Sequence, residues 1–169
     1  MQVTTRLLST PLRVFLGGSV LVVLSAWVVA HWPVSPAEAV VALRDGDLEH
    51  DERIALLQRI FAAANDQLPG DDPALLRAMA AVALEDEAGY RKWSGGKALP
   101  FATAPAAERI EQASLGDPVL GALLRAMVRE SVADRDGARL AYSQVERSSM
   151  LFRMPLAQRL AAEGRERIR

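Results

Sequence analysis

Apolar residues are distributed along this chain in two ways. Val14–Ala30 is an apolar run that carries no charge and has no polar face. From Ser35 onward, apolar positions instead recur three and four residues apart. Ile54, Leu57, Phe61 and Ala64 form one such set, Leu75, Met79 and Val82 a second, and Leu120, Leu123, Leu124 and Met127 a third. A period near 3.6 predicts amphipathic helices. Prolines mark where several of them start. Ser35-Pro36, Asp72-Pro73 and Asp117-Pro118 each set a side-chain acceptor before a proline suited to the first helical position. Pro105 and Pro155 precede further helical patterns with weaker caps, and Gly46 and Gly116 stand where C-terminal caps belong. The pattern predicts helices over Pro36–Arg44, Leu48–Asn65, Pro73–Leu84, Asp86–Trp93, Pro105–Ser114, Pro118–Ser131, Asp134–Ser148 and Pro155–Arg167. The stretch SGGKALPFATA, with two glycines and a proline, predicts a loop over Ser94–Ala104. No segment alternates with a period of two, so the expected fold class is all-α.

The uniform run has a different destination. Arg6 and Arg13 precede it, and the first acidic residue of the chain is Glu38. That asymmetry predicts a cytoplasmic N-terminus and a translocated remainder. Seventeen residues make a helix of about 25 Å, slightly short of a hydrocarbon core of about 30 Å. Trp27 and Trp32 can extend the span into the headgroup region, and Thr10-Pro11 can start the helix before Arg13. The expected organisation is a short cytoplasmic tail over residues 1–10, a transmembrane signal anchor over 11–32, and an extracytoplasmic helical domain over 35–169. A cleaved signal peptide is the alternative, with small residues at Val28-Val29-Ala30 and Ala37-Glu38-Ala39. Retention is favoured because the run exceeds an ordinary h-region of about 7–15 residues. The second cleavage site also lies inside the capping box Ser35-Pro36-Ala37-Glu38.

The hexamer ALLRAM occurs at Ala74–Met79 and again at Ala122–Met127, 48 residues later. At the same offset, Asp86, Gly89 and Arg91 are matched by Asp134, Gly137 and Arg139. PAAERI at Pro105–Ile110 is echoed by PLAQRL at Pro155–Leu160. Each unit reads as a long apolar helix, an Asp/Gly turn, a second helix, a loop and a proline-started third helix. Such units in tandem predict a helical repeat array, each burying its apolar face on the next.

The turn and second helix of the second unit, ADRDGARLAYSQVERSS, resemble a tetratricopeptide repeat, with Ala138, Tyr142 and Val145 at the family's small–aromatic–small spacing. A small residue there lets antiparallel helices approach closely. The first helix lacks the family's aromatic and its Leu-Gly pair, Tyr90 takes the small-residue place in the first unit, and the 48-residue spacing exceeds a period of about 34. The resemblance covers one hairpin and implies a superhelical stack that binds protein segments.

Charge and chemistry add few functional constraints. The formal net charge of −1 offers no general attraction to nucleic acid, and no cysteine is present for disulfides or thiolate chemistry. The two histidines stand apart, His31 beside Trp32 and His50 in the acidic run RDGDLEHDER. That run fails a calcium loop, which needs glycine at its sixth position and a carboxylate at its twelfth. Counted from Asp45, those positions are His50 and Leu56. Clustered carboxylates at a helix start instead suit its exposed N–H groups. In Trp93–Lys97, WSGGK, the phosphate-loop pattern is broken by Arg91 and Ala98. The C-terminal arginines Arg153, Arg159, Arg165, Arg167 and Arg169 outnumber Glu163 and Glu166. They fit a helix C-terminus, an anionic lipid surface or an acidic partner.

No nucleophile or acid–base constellation is visible, so no catalytic residue, metal or cofactor is expected. The sequence instead predicts a single-pass protein of a bacterial inner membrane with a periplasmic domain. Its expected role is a non-catalytic adaptor or assembly factor contacting the bilayer and other proteins. An accessory structural subunit of a larger integral complex is the alternative. Trp93, beside its glycine pair, is either an exposed protein-binding anchor or a packed core residue, the latter favoured by the burial of most large aromatics. Tyr90 and Tyr142 are the other candidate protein-binding residues.

Overall fold

A computed structural model describes residues 34–101 and 103–169. The expected tail over 1–10 and transmembrane segment over 11–32 lie outside the described residues. Among the described residues no helix is long and apolar enough to cross a membrane. They are all-helical, with no strand. The eight α-helices among the described residues are α1 Pro36–Asp45, α2 His50–Ala62, α3 Pro73–Ala83, α4 Glu87–Trp93, α5 Ala107–Ala113, α6 Pro118–Ser131, α7 Arg135–Leu151 and α8 Pro155–Arg167.

Local signals account for most of the helix starts. Ser35 accepts from the Glu38 amide at 3.2 Å while the Glu38 carboxylate accepts from the Ser35 amide at 2.8 Å. Asp72 caps α3 at the Leu75 amide, and Asp117 caps α6 at the amides of Val119 and Leu120. The largest departure is in α2, expected over Leu48–Asn65. The helix ends at Ala62 because Ala63 turns extended, and Asn65–Gln67 form a short 3-10 turn. The Ala63 carbonyl and the Asn65 side chain accept instead from the guanidinium of Arg77. At the other junctions α5 starts two residues after Pro105, and α7 runs three residues past Ser148.

Both copies of the hexamer are helical, in α3 and α6, and the turns that follow are bonded alike. Asp86 donates its amide to the Ala81 carbonyl at 2.9 Å, and Asp134 donates to Arg129 at 3.0 Å. Before each aspartate a residue adopts the left-handed conformation, Glu85 at φ 58° and Ala133 at φ 61°. The long i−5 bond around a left-handed residue closes the helix C-terminus. Each aspartate then caps the next helix, Asp86 at the Gly89 amide and Asp134 at Gly137.

Helices adjacent in sequence are the main packing partners, strongest for α6 with α7 and α7 with α8. Ser35–Arg169 forms one compact unit. Its core is continuous from Leu43, Leu57 and Ile60 through Leu75, Met79 and Val82 to Leu120, Leu123, Leu124, Met127, Tyr142 and Val145. Apolar burial of this extent is the main favourable term holding the domain together.

Candidate functional site

A groove of about 320 Å³ is bordered by α4, the glycine loop that follows it, and α8. The start of α8 is positioned from a distance. No side chain of its own segment caps it, and the Glu85 carboxylate, from the α3–α4 turn, accepts from the Leu156 amide at 2.7 Å. Burial raises the carboxyl pKa of Glu85, opposed by that hydrogen bond. α4 ends at Trp93 with Ser94 as its C-cap, and the Gly96 amide returns to the Arg91 carbonyl at 2.9 Å. This turn needs two successive left-handed residues, Gly95 at φ 64° and Gly96 at φ 68°, which glycine adopts without steric cost. The rim beside Lys97 is open: a Cβ at either glycine would meet nothing within 4 Å.

The groove's apolar lining, or floor, comprises Leu156, Leu160, Ala98 and the buried ring of Tyr90. Four cations, Arg91, Lys97, Arg159 and Arg167, surround it together with two carboxylates, Glu87 and Glu163. Glu87 pairs with both Arg91 at 2.5 Å and Arg159 at 2.7 Å. Lys97 forms no ion pair among the described residues. The Tyr90 hydroxyl is buried and has no hydrogen-bond partner among the described residues. Burial pushes its pKa up to about 12; Arg167 opposes the shift and the carboxylates of Glu163 and Glu130 add to it. The phenol therefore keeps its proton at neutral pH. An excess of cations over an apolar floor suits a segment bearing carboxylates beside apolar side chains.

Of the three aromatic residues expected at a binding surface, only Tyr90 lines the groove. Trp93 is half-buried on another side of α4, with the Arg77 guanidinium 4.4 Å from its ring centroid and the Lys92 ammonium at 4.8 Å. Its indole N–H is buried without an acceptor among the described residues. Tyr142 is fully buried, so in this conformation it offers no surface to a partner. Its ring lies against Gly164, where a Cβ would approach within 2.4 Å, and its hydroxyl donates to Glu130 at 2.6 Å. Arg167 completes this clasp with two hydrogen bonds to the Glu130 carboxylate, at 2.8 and 2.9 Å. Tyr142 is thus a packing residue that joins α6, α7 and α8.

The groove residues that carried no functional expectation in the sequence include Glu87, Lys97, Leu156 and Leu160. Arg159 and Arg167 were visible as part of the C-terminal arginine excess. The periodic signal was present, since Leu156, Arg159, Leu160, Glu163 and Arg167 share one helical face. What remained hidden is that this face meets α4. No protein-family model matches the chain, and comparison with curated proteins and with solved structures returns no match.

Proposed function

We propose that this protein is a membrane-tethered, non-catalytic adaptor that holds an acidic-apolar segment of another protein in the α4–α8 groove. The observation carrying this reading is the groove's composition: four cations, one of them unpaired, around an apolar floor. The tether rests on the charge-free run Val14–Ala30 behind Arg6 and Arg13, which suits a single span of a bacterial inner membrane with the helical domain in the periplasm. Tethering raises the effective concentration of the domain near membrane partners without adding a contact. Tandem hairpins of tetratricopeptide type would suit such a task. The duplicated hexamer and the matching turns of α3–α4 and α6–α7 support that description.

The test combines fractionation with site-directed crosslinking. Full-length chain should stay in membranes through alkaline extraction, and removal of residues 1–33 should release it. A photoreactive residue at position 98 should give one discrete adduct in intact membranes, lost in the K97E/R159E background. Full-length chain released by alkaline extraction, or adducts insensitive to the charge reversals, would refute the reading.

One observation favours a permanent subunit of a larger assembly. Met150, Leu151 and Phe152 stand 58%, 81% and 61% exposed at the α7–α8 turn. Contiguous apolar exposure of this kind is unusual on a monomer. Under that reading the full chain co-purifies stoichiometrically with a complex in mild detergent, and L151D/F152D releases it.

A further inference from the structure

The two hairpins that begin with the repeated hexamer differ in what lies on their outer faces. On α3–α4 the face is covered. Arg77 is 1% exposed, and its guanidinium donates to the Ala63 carbonyl and the Asn65 side chain just beyond α2. Phe61 of α2 is packed against Gly89 so closely that a Cβ there would come within 2.6 Å of the ring. On α6–α7 the corresponding face is bare. Ala122, Arg125 and Arg129 of α6, with Leu140, Ala141, Gln144 and Arg147 of α7, line an open depression of about 280 Å³. Arg125 and Gly137 occupy the places of Arg77 and Gly89 in the repeat. Arg125 is exposed with no polar partner among the described residues, and the three atoms nearest a Cβ at Gly137 all belong to Asp134.

We propose that this α6–α7 face is a docking position for an acidic amphipathic helix of a partner protein, held against it as α2 is held against α3–α4. Three features define that occupant. Its helical form follows from the repeat: Phe61 of the helix α2 covers Gly89 in the first hairpin, the place that Gly137 holds in the second. Its apolar face follows from α7, where Leu140, Gln144, Arg147 and Leu151 fall on one stripe opposite the core stripe Ala138, Tyr142, Val145 and Ser149. Leu140 is 72% exposed and Leu151 81%. They bracket about 16 Å of helix, or three turns. Ala122 and Ala141 keep the floor shallow, so a third backbone can come near.

The acidity of the occupant follows from charge. The seven lining residues include three arginines and no carboxylate. Arg129 donates to the Gly137 carbonyl and Arg147 to the Ser143 carbonyl, and none of the three forms an ion pair among the described residues. Planar guanidinium forks match carboxylates in two-point contact. This surface is separate from the α4–α8 groove, and its test keeps the two apart.

The probe is a labelled 14-residue helical peptide with leucines every third or fourth position and glutamates flanking that stripe, titrated by anisotropy onto full-length protein in zwitterionic micelles. Binding should weaken at least tenfold in R125E/R147E and fall with added salt, while circular dichroism shows the fold retained. K97E/R159E should keep the binding component that R125E/R147E removes, losing at most a separate component from the α4–α8 groove, and a lysine-for-glutamate peptide should not bind. The proposal is overturned by absent binding, by equal binding to R125E/R147E, or by loss of that component in K97E/R159E, which would move the peptide to the α4–α8 groove. It is also overturned if phosphatidylglycerol in the micelles displaces the peptide, which would assign the arginines to lipid headgroups. Self-association that disappears in R125E/R147E would assign the face to a second copy and overturn it as well.

Discussion

Arg77 and Arg125 belong to identical hexamers in two helices of the same domain, and they have opposite surroundings. Arg77 is enclosed by Trp93, the Ala63 carbonyl and Asn65, with no carboxylate paired to it among the described residues. Its charge is held by carbonyl oxygens at the negative end of α2 and by an aromatic face. Burial lowers the guanidinium pKa, as removal from water must. Arg125 stands in solvent among other arginines. The neighbours differ in size as well as in presence: Trp93 in the first unit is matched by Ala141 in the second. The second helix grows from seven residues in α4 to 17 in α7, and the third from seven in α5 to 13 in α8. One unit therefore closes its outer face with the chain's own α2, and the other extends its helices and leaves that face open.

The sharpest way to break this contrast is charge reversal at the two arginines. Arg77→Glu should cost about 3–5 kcal/mol, because it buries an unpaired charge facing carbonyl oxygens. Arg125→Glu should stay within about 0.5 kcal/mol, as surface substitutions do. Urea unfolding of both variants followed by circular dichroism measures the difference; equal effects would show that the two faces are alike in solution.

A second comparison uses the paired glycines. Gly89→Ala should lose about 1–3 kcal/mol, since its Cβ meets the Phe61 ring. Gly137→Ala displaces only its own Asp134 cap, so the lost cap and the gained helix propensity, each about 1 kcal/mol, nearly cancel. Thermal melts of the two variants should separate them clearly.

Where the units agree, substitutions should agree too. Asp86→Ala and Asp134→Ala each remove one cap bond, at 2.9 and 3.0 Å, and should each cost about 1 kcal/mol. A difference beyond about 0.5 kcal/mol, the usual error of additivity, would show that the matching turns are energetically unlike.

The smallest expected effect concerns pH and belongs to the second unit alone. Burial raises the Glu130 pKa, but the bonds from Arg167 and Tyr142 outweigh it and hold the group below the ordinary value of 4.5. A depressed folded-state pKa gives stability that is complete above the unfolded value and is lost as pH falls through the folded one. Acidification below that ordinary value should therefore loosen the α6–α7–α8 clasp. Glu130→Gln should flatten that part of the stability profile; an unchanged acid limb in the variant would remove Glu130 from the account.

Much of the fold was legible because its signals are local. Ser35, Asp72 and Asp117 sit immediately before prolines, and their side chains reach amides two or three residues away. Ala138, Tyr142 and Val145 were recognisable as a tight helix contact, and all three are buried. The candidate site was less legible. Tyr90, Arg159 and Arg167 were each visible in the sequence, but no local pattern reports that Glu85 draws the start of α8 beside α4. Trp93 could not be assigned from its glycine neighbours, because the arginine that covers it lies 16 residues earlier.

By itself the sequence determined the all-helical class, most helix limits and both Asp/Gly turns. Each depends on bonds spanning five residues or fewer and on a repeat of 3.6. Tertiary structure alone decided which of two identical arginines is buried, where α2 stops, and which helix faces form grooves. Burial belongs to whatever element arrives opposite a side chain, and that element can lie anywhere along the chain.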